Sequence, residues 1–383
     1  MPYSQVNILS KGKYISNIKR FYSDKLEEIN YTQITPKFHI KFNEEEKYFV
    51  KNVNERLLIK IDPKVKILLE KYLIPDVNFN YLFQREVFSC VFKNIQFVGG
   101  TGILIHNGRA LIESCCDILR FSRNKVFFQI IPKKKKLKGF YTSIMFWDYD
   151  CNHSHFLIDS LPRLYAITKI EEPKINLIVP KDINKTYLDI IKLFLDKRFK
   201  IIYIDYDEIW ELENFYFASF CSNNSRCRSY IPKLYLDFLK EKILKSLEIK
   251  KGNKNKRIYI SRSKAKERRV LNEGKLLELI KKHNFEIIHT EDLAFKEQVK
   301  LFNSASIVIS PHGAGLANII FSEKIKVIEL FPPKYLMPHY FMISKVLGFK
   351  YRFSIGTESD DNYNFNANLD EIEKYIIELS DNE

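Results

Sequence analysis

From Asp159 onward, apolar positions fall into short β-branched runs that alternate with helical periods. Residues 161–170 repeat at helical spacing, 175–180 read as a strand, 186–199 as a helix and 200–205 as a strand. Residues 232–247 then give a long amphipathic helix opened by Pro232. After a polar, basic stretch at 249–257 the alternation becomes regular: strand 257–262, helix 272–284, strand 285–290, helix 295–305, strand 306–310, helix 316–321, strand 326–330, helix 339–349 and strand 350–355. A last helix at 368–379 is free to pack on either half. Upstream, 87–131 is β-rich, with Gly99, Gly100, Gly102 and Gly108 marking turns. Residues 1–80 mix strand and helix signals. The pattern predicts an α/β protein with residues 1–248 as an N-terminal domain, 249–257 as linker and 258–383 as a Rossmann-like domain. A parallel sheet built this way binds its ligand at the carboxyl ends of its strands.

One such strand end stands out. The run Ile307-Val308-Ile309-Ser310 passes into Pro311-His312-Gly313-Ala314-Gly315 and then into small, helix-compatible residues. A strand, a tight turn and a helix N-terminus aim backbone N–H groups at one spot, which suits phosphate. With 12 glycines in 383 residues, two within three positions carry information. Arg262 follows another predicted strand, and Arg268 and Arg269 precede a helix, so forked guanidinium contacts to a diphosphate are expected there. Glu329 ends a strand where an α/β sheet holds a ribose, or else is a buried or capping carboxylate.

The second candidate cluster is Asn152 through Leu164. His155 and Asp159 are four apart and share a helix face, so one can orient and polarise the other as a general base. The spacing leaves open which of the two is the base. Asn152 and Arg163 read as acceptor-side or structural residues. His153 with His155 lacks a third metal ligand at suitable spacing. Two Asp-x-Asp triplets, Asp148–Asp150 and Asp205–Asp207, admit a metal–nucleotide reading, though such triplets arise often by chance.

Charge changes the picture moderately. Lys and Arg number 62 against 47 Asp and Glu, a net +15, which attracts nucleic acid, anionic membrane or phosphorylated small molecules. The run Lys133–Lys136 with Lys138 reads as a solvated loop between strands or, more sharply, as a membrane-surface patch. Basic residues are otherwise spread along the chain without a nucleic-acid motif, so nucleic acid is not an expected partner. No G-x-G-x-x-G follows a strand, which argues against a Rossmann oxidoreductase. Six cysteines without framework spacing read as reduced thiols. The N-terminal residues lack the apolar core of a signal peptide, so a cytoplasmic location, peripheral to the inner membrane face, is expected.

Taken in order, these segments resemble the family 61 glycosyltransferases. The matching pieces are Asn152 with His155, Asp159 with Pro162-Arg163, Tyr259-Ile260-Ser261-Arg262, Arg268-Arg269 with Asn272-Glu273, Glu297-Gln298, Pro311 to Leu316, and Val327-Ile328-Glu329. They cover roughly residues 145–335. The resemblance implies a GT-B architecture of two Rossmann-like domains facing a cleft, and an inverting transfer without an essential metal or cofactor. It implies a nucleotide-sugar donor, UDP-linked by expectation, and a glycan or lipid-linked glycan acceptor, as in bacterial capsule or lipopolysaccharide synthesis. Carried over, Asp159 or His155 is the catalytic base, and Arg262, Arg268, His312, Gly313, Ala314, Gly315 and Glu329 hold the donor. The alternatives are a non-catalytic nucleotide-binding subunit of the same fold and a nucleic-acid-binding protein.

Overall fold

The computed structural model describes residues 31–35, 38–41, 81–84, 87–106, 109–111, 114, 133–145, 152–221 and 231–380. They divide into two compact units, the first running to Leu239 and the second starting at Lys240. Strand 126–131, Gly108, the Asp148–Asp150 triplet and Cys115, Cys116, Cys151 and Cys227 lie outside the described residues.

The first unit is built on β1 (Tyr31–Thr35), β2 (Phe38–Lys41), β3 (Tyr81–Gln84), β4 (Val87–Val98), β5 (Leu104–His106), β6 (Arg109–Ala110), β7 (Lys133–Ser143), β8 (Ile175–Pro180), β9 (Phe199–Ile204) and β10 (Glu208–Ala218). Its main sheet runs β6-β5-β4-β10-β7-β8-β9, with β1 on β4, while β2 and β3 form a separate ribbon. β4 and β10 pair antiparallel, from Val98 opposite Ile209 to Ser89 opposite Ala218. From β10 through β7 and β8 to β9 every pairing is parallel. Ala218, Ser143 and Pro180 therefore finish at one edge. Phe92, Phe97, Leu212, Phe215 and Phe217 fill the core under the long pair.

Two readings of this part need correction. The lysine run is not a loop but the first half of β7. Strand β10, which the apolar pattern did not single out, supplies the reason. Lys135 pairs with Glu208, and Lys136 lies 2.9 Å from Glu211, so facing carboxylates offset the poor strand propensity of lysine. The continuous helix at 161–170 is instead composite: an α-turn at His153–His155, a π-helical turn at Phe156–Ser160, a 3-10 turn at Leu161–Arg163 and an α-turn at Leu164–Ile167. Pro162, lacking an N–H, breaks the regular ladder here.

The second unit is a parallel sheet, β12-β11-β13-β14-β15, from β11 (Lys256–Ile260), β12 (Phe285–Ile288), β13 (Ala305–Pro311), β14 (Lys326–Phe331) and β15 (Lys350–Ile355). β13 and β14 are buried along their whole length, as central parallel strands require. Helices α1 (Lys185–Lys192) and α2 (Lys233–Ser246) precede it, and α3 (Glu273–Lys282), α4 (Phe295–Ser304), α5 (His339–Leu347) and α6 (Leu369–Ser380) alternate with or follow its strands. The terminal α6 belongs to this unit, with Ile372, Ile376 and Leu379 packed among Leu276, Ile280, Phe285 and Leu330. Within 249–257, the Lys250 carbonyl accepts from Asn303 at 2.8 Å, and Lys256 and Arg257 already belong to β11.

Candidate active site

In the first unit, Asn152 caps the composite helix, its Oδ1 accepting from the Ser154 N–H at 2.9 Å. One turn on, His155 Nδ1 lies 2.7 Å from Asp159 Oδ2. Asp159 is buried in the π-helical turn, whereas the His155 side chain keeps 20% of its surface. The carboxylate therefore serves the ring from inside. Nδ1 is the nitrogen that meets Asp159, and Nε2 lies on the other side of the ring. Arg163, two turns from His155, is a strut: its Nε donates to the Ala218 carbonyl at 2.7 Å and Nη1 to the Met145 carbonyl at 3.2 Å, and the guanidinium lies over Phe220 at 4.3 Å. Those carbonyls lie at the end of β10 and just past β7, so Arg163 fixes the His155 helix at the carboxyl edge of the parallel strands. Burial pushes the neighbouring Cys221 thiol far up, so it stays protonated and inert.

In the second unit, Arg262 leaves the end of β11 and Arg268 follows in the loop before α3. Arg262 Nη2 donates to the Glu267 carbonyl at 3.0 Å, yet the Nε atoms of both arginines are buried without a hydrogen-bond partner. Burial, and Arg268 after it, pull the Arg262 guanidinium down to about 10, so it is still charged at neutral pH. Two half-buried guanidiniums that repel each other, with no hydrogen-bonded carboxylate between them among the described residues, have the chemistry to attract an anion. Arg268 has a left-handed backbone (φ 60°) and is held by its own N–H on the Asn362 carbonyl at 3.0 Å and by Tyr335, whose ring lies 4.9 Å from its guanidinium.

The glycine turn borders this site. A Cβ on Gly313 would stand 2.2 Å from Arg262 Nη1, and one on Gly315 would stand 2.9 Å from Thr290 Oγ1. Side chains at either position would displace what the turn has to touch. The helix that follows, Ala314–Phe321, is 3-10 rather than α, and Asn318 Nδ2 ties it down by donating to Gln298 Oε1 at 2.9 Å and the Gly315 carbonyl at 3.1 Å. First-turn N–H groups of such a helix, here those of Ala314 and Gly315, have no intrahelical acceptor.

His312 completes the cluster. Its Nδ1 lies 2.5 Å from Glu329 Oε1, and Glu329 Oε2 accepts from the Tyr351 hydroxyl at 2.6 Å. Glu329 has no exposed surface, and both its oxygens have protein partners, which matches the buried-carboxylate reading rather than a ribose ligand. Burial drives His312 down, with Arg268, His339 and Arg262 adding to it, and burial drives Glu329 up. Phe331, Tyr335, His339 and Tyr340 ring the imidazole at centroid distances of 5.3–6.0 Å.

Residues 154–328 match the glycosyltransferase 61 family. The match supports a glycosyltransferase activity in general, and the matched stretch includes His155, Asp159, Arg262 and His312. No curated protein matches the chain. Of the candidate metal residues, Asp205 is paired with Lys181 at 3.1 Å in the turn after β9, and no group of three or more His, Cys, Asp or Glu gathers among the described residues. No helix of the described residues is long and apolar enough to cross a membrane. Sequence reasoning missed Tyr351, Tyr335 and Asn318. Tyr351 and Asn318 lie on elements whose pattern reads as plain core, Tyr335 lies in a loop, and only the sheet order brings Tyr351 beside Glu329.

Proposed function

We propose that the protein is an inverting glycosyltransferase that moves a sugar from a nucleoside-diphosphate donor, UDP by expectation, to a hydroxyl group of a glycan or lipid-linked glycan acceptor. The observation that carries this reading is the pair of buried, unpartnered guanidinium Nε atoms beside the Gly313–Gly315 turn. Two fixed cations and free amides match a diphosphate leaving group. On this reading the two units are the acceptor and donor halves of a GT-B-type transferase.

His155 is the base and Asp159 its orienter. The acceptor oxygen attacks the anomeric carbon as Nε2 takes the hydroxyl proton. The bond from that carbon to the phosphate oxygen breaks, and the nucleoside diphosphate leaves with the electron pair. One displacement inverts the anomeric centre. Asp159 supports the imidazolium that forms, and a positioned base of this kind contributes ~10²–10⁴-fold. Arg262, Arg268 and the turn amides stabilise the charge growing on the diphosphate, so no metal ion is required for that role. The biological setting in this reading is assembly of a bacterial surface polysaccharide at the cytoplasmic face of the inner membrane, where the net charge of +15 favours anionic surfaces.

The test is release of nucleoside diphosphate from a panel of nucleotide sugars, in EDTA, by the wild type and by Arg262→Ala and His155→Ala. Turnover of one donor, reduced in both variants, is the expected result. Donor binding without turnover by any acceptor panel would make the chain a non-catalytic nucleotide-binding subunit. Absence of nucleotide binding together with steeply salt-dependent binding to RNA or DNA would replace this reading altogether.

A further inference from the structure

The line Tyr351–Glu329–His312 does more than pack. Three polar side chains on β15, β14 and the end of β13 join at 2.6 and 2.5 Å in the interior of the second unit. A buried carboxylate bonded to both a phenol and an imidazole is costly to assemble, and apolar residues would fill the space at lower cost. The line ends at the glycine turn, between the residues that border the anion site. Because Nδ1 is committed to Glu329, Nε2 is the atom His312 has for a ligand.

We propose that Glu329 and Tyr351 are positioning residues that make His312 a chargeable third arm of the anion site, so that binding the donor diphosphate takes up a proton at His312. This inference rests on the transferase reading above. The groups facing His312 come from every element around it: Arg262 after β11, Arg268 before α3, Glu329 on β14, Tyr351 on β15, Tyr335 in the loop beyond β14, and His339 and Tyr340 on α5. Without an anion, burial opposes a charge on the ring, and Arg268, His339 and Arg262 oppose it further, which holds the imidazole neutral. A bound diphosphate neutralises the two guanidiniums and places negative charge at the ring. Glu329, whose ionised form the Tyr351 hydroxyl and the Arg268 charge favour against the burial that opposes it, then serves as the counter-ion on the far side. The proton comes from solvent and resides on the imidazole, which becomes a donor at both nitrogens. The device adds positive charge to the site only while the diphosphate is present.

Calorimetric titration with intact nucleoside-diphosphate sugars tests this, because their diester phosphates, unlike a terminal phosphate, do not titrate near neutral pH. Titrations at pH 7.5 in buffers of different ionisation enthalpy read the proton count directly. The wild type is expected to take up about one proton per donor bound. His312→Asn should bind with no uptake, and His339→Asn should keep it. Tyr351→Phe should weaken donor binding about tenfold and lower the proton count, a change that loss of packing alone does not produce. Donor binding by the wild type with no proton uptake would overturn the relay and leave the transferase reading standing. No binding of any nucleotide sugar would overturn both.

Discussion

Replacing Gly313 by alanine is the sharpest probe of the proposed donor site, because the two outcomes it can have are separable. The Gly313 backbone is extended, with φ −175°, so alanine meets no torsional strain there. The added Cβ would stand 2.2 Å from Arg262 Nη1 and 3.1 Å from its Cζ. The guanidinium must therefore retreat by about 1 Å to reach contact distance. It is held by Nη2 on the Glu267 carbonyl at 3.0 Å, so the retreat strains that bond or rotates the fork. A displacement of about 1 Å in a positioning group costs on the order of 10²-fold in rate, or roughly 2.7 kcal/mol of barrier. Stability should barely change, because the tip of a long side chain yields more easily than backbone. The assay is kcat/KM for donor turnover in Gly313→Ala, Arg262→Ala and the double variant, with thermal unfolding of each. If the loss runs through Arg262, the double variant is no worse than Arg262→Ala alone, as coupled neighbours behave. An undiminished Gly313→Ala enzyme, or a full additional loss in the Arg262→Ala background, would refute this account of the turn.

Asp159→Asn and His155→Ala should each lower kcat by ~10²–10⁴-fold with little change in donor affinity, read by steady-state kinetics and donor calorimetry. Arg163→Ala leaves the Ala218 and Met145 carbonyls without their donor and should destabilise the first unit by about 3 kcal/mol in urea unfolding; lysine, lacking the planar fork, should not rescue it. Gly315→Ala, whose Cβ meets Thr290 Oγ1 at 2.9 Å and Cγ2 at 3.3 Å, should lower the melting temperature where Gly313→Ala does not, since a β-branched side chain yields less than a guanidinium tip. Turnover should persist in EDTA, and an absolute requirement for added Mn²⁺ would transfer the charge-stabilising role from Arg262 and Arg268 to a metal.

Local relations were legible in the chain and distant ones were not. The spacing of His155 and Asp159 states their hydrogen bond directly, because four residues bring side chains onto one helix face. The buried β-branched run before Pro311 and the glycines after it state a strand and a turn with equal directness. The lysine strand was opaque, since its stability comes from Glu208 and Glu211 on β10, some 75 residues away and themselves in a segment without clear alternation. The helical period read at 161–170 gave no sign of the composite turns at 153–167, although Pro162 was the signal that the helix could not be regular. Glu329 was visible as a strand-end carboxylate, but whether it faced ligand or protein depended on β15 arriving beside β14. No feature of residues 350–355 announces that Tyr351 would land there.

The two histidine–carboxylate pairs show how burial assigns opposite tasks to the same chemistry. His155 and Asp159 are joined within one helix, and the ring keeps a solvent-facing surface while the carboxylate is covered. A ring so placed can exchange its proton with an acceptor and then with water, which a base must do in every cycle. His312 and Glu329 are joined across two central strands, with the ring 5% and the carboxylate 0% exposed. Burial there opposes a charge on the ring, and the nearby guanidiniums oppose it further. On the proposed reading the same pair of residue types turns over protons in the first unit and responds to diphosphate in the second. Exchanging the tasks would require exchanging the environments, because burial penalises the charged imidazolium that a base must form in every cycle.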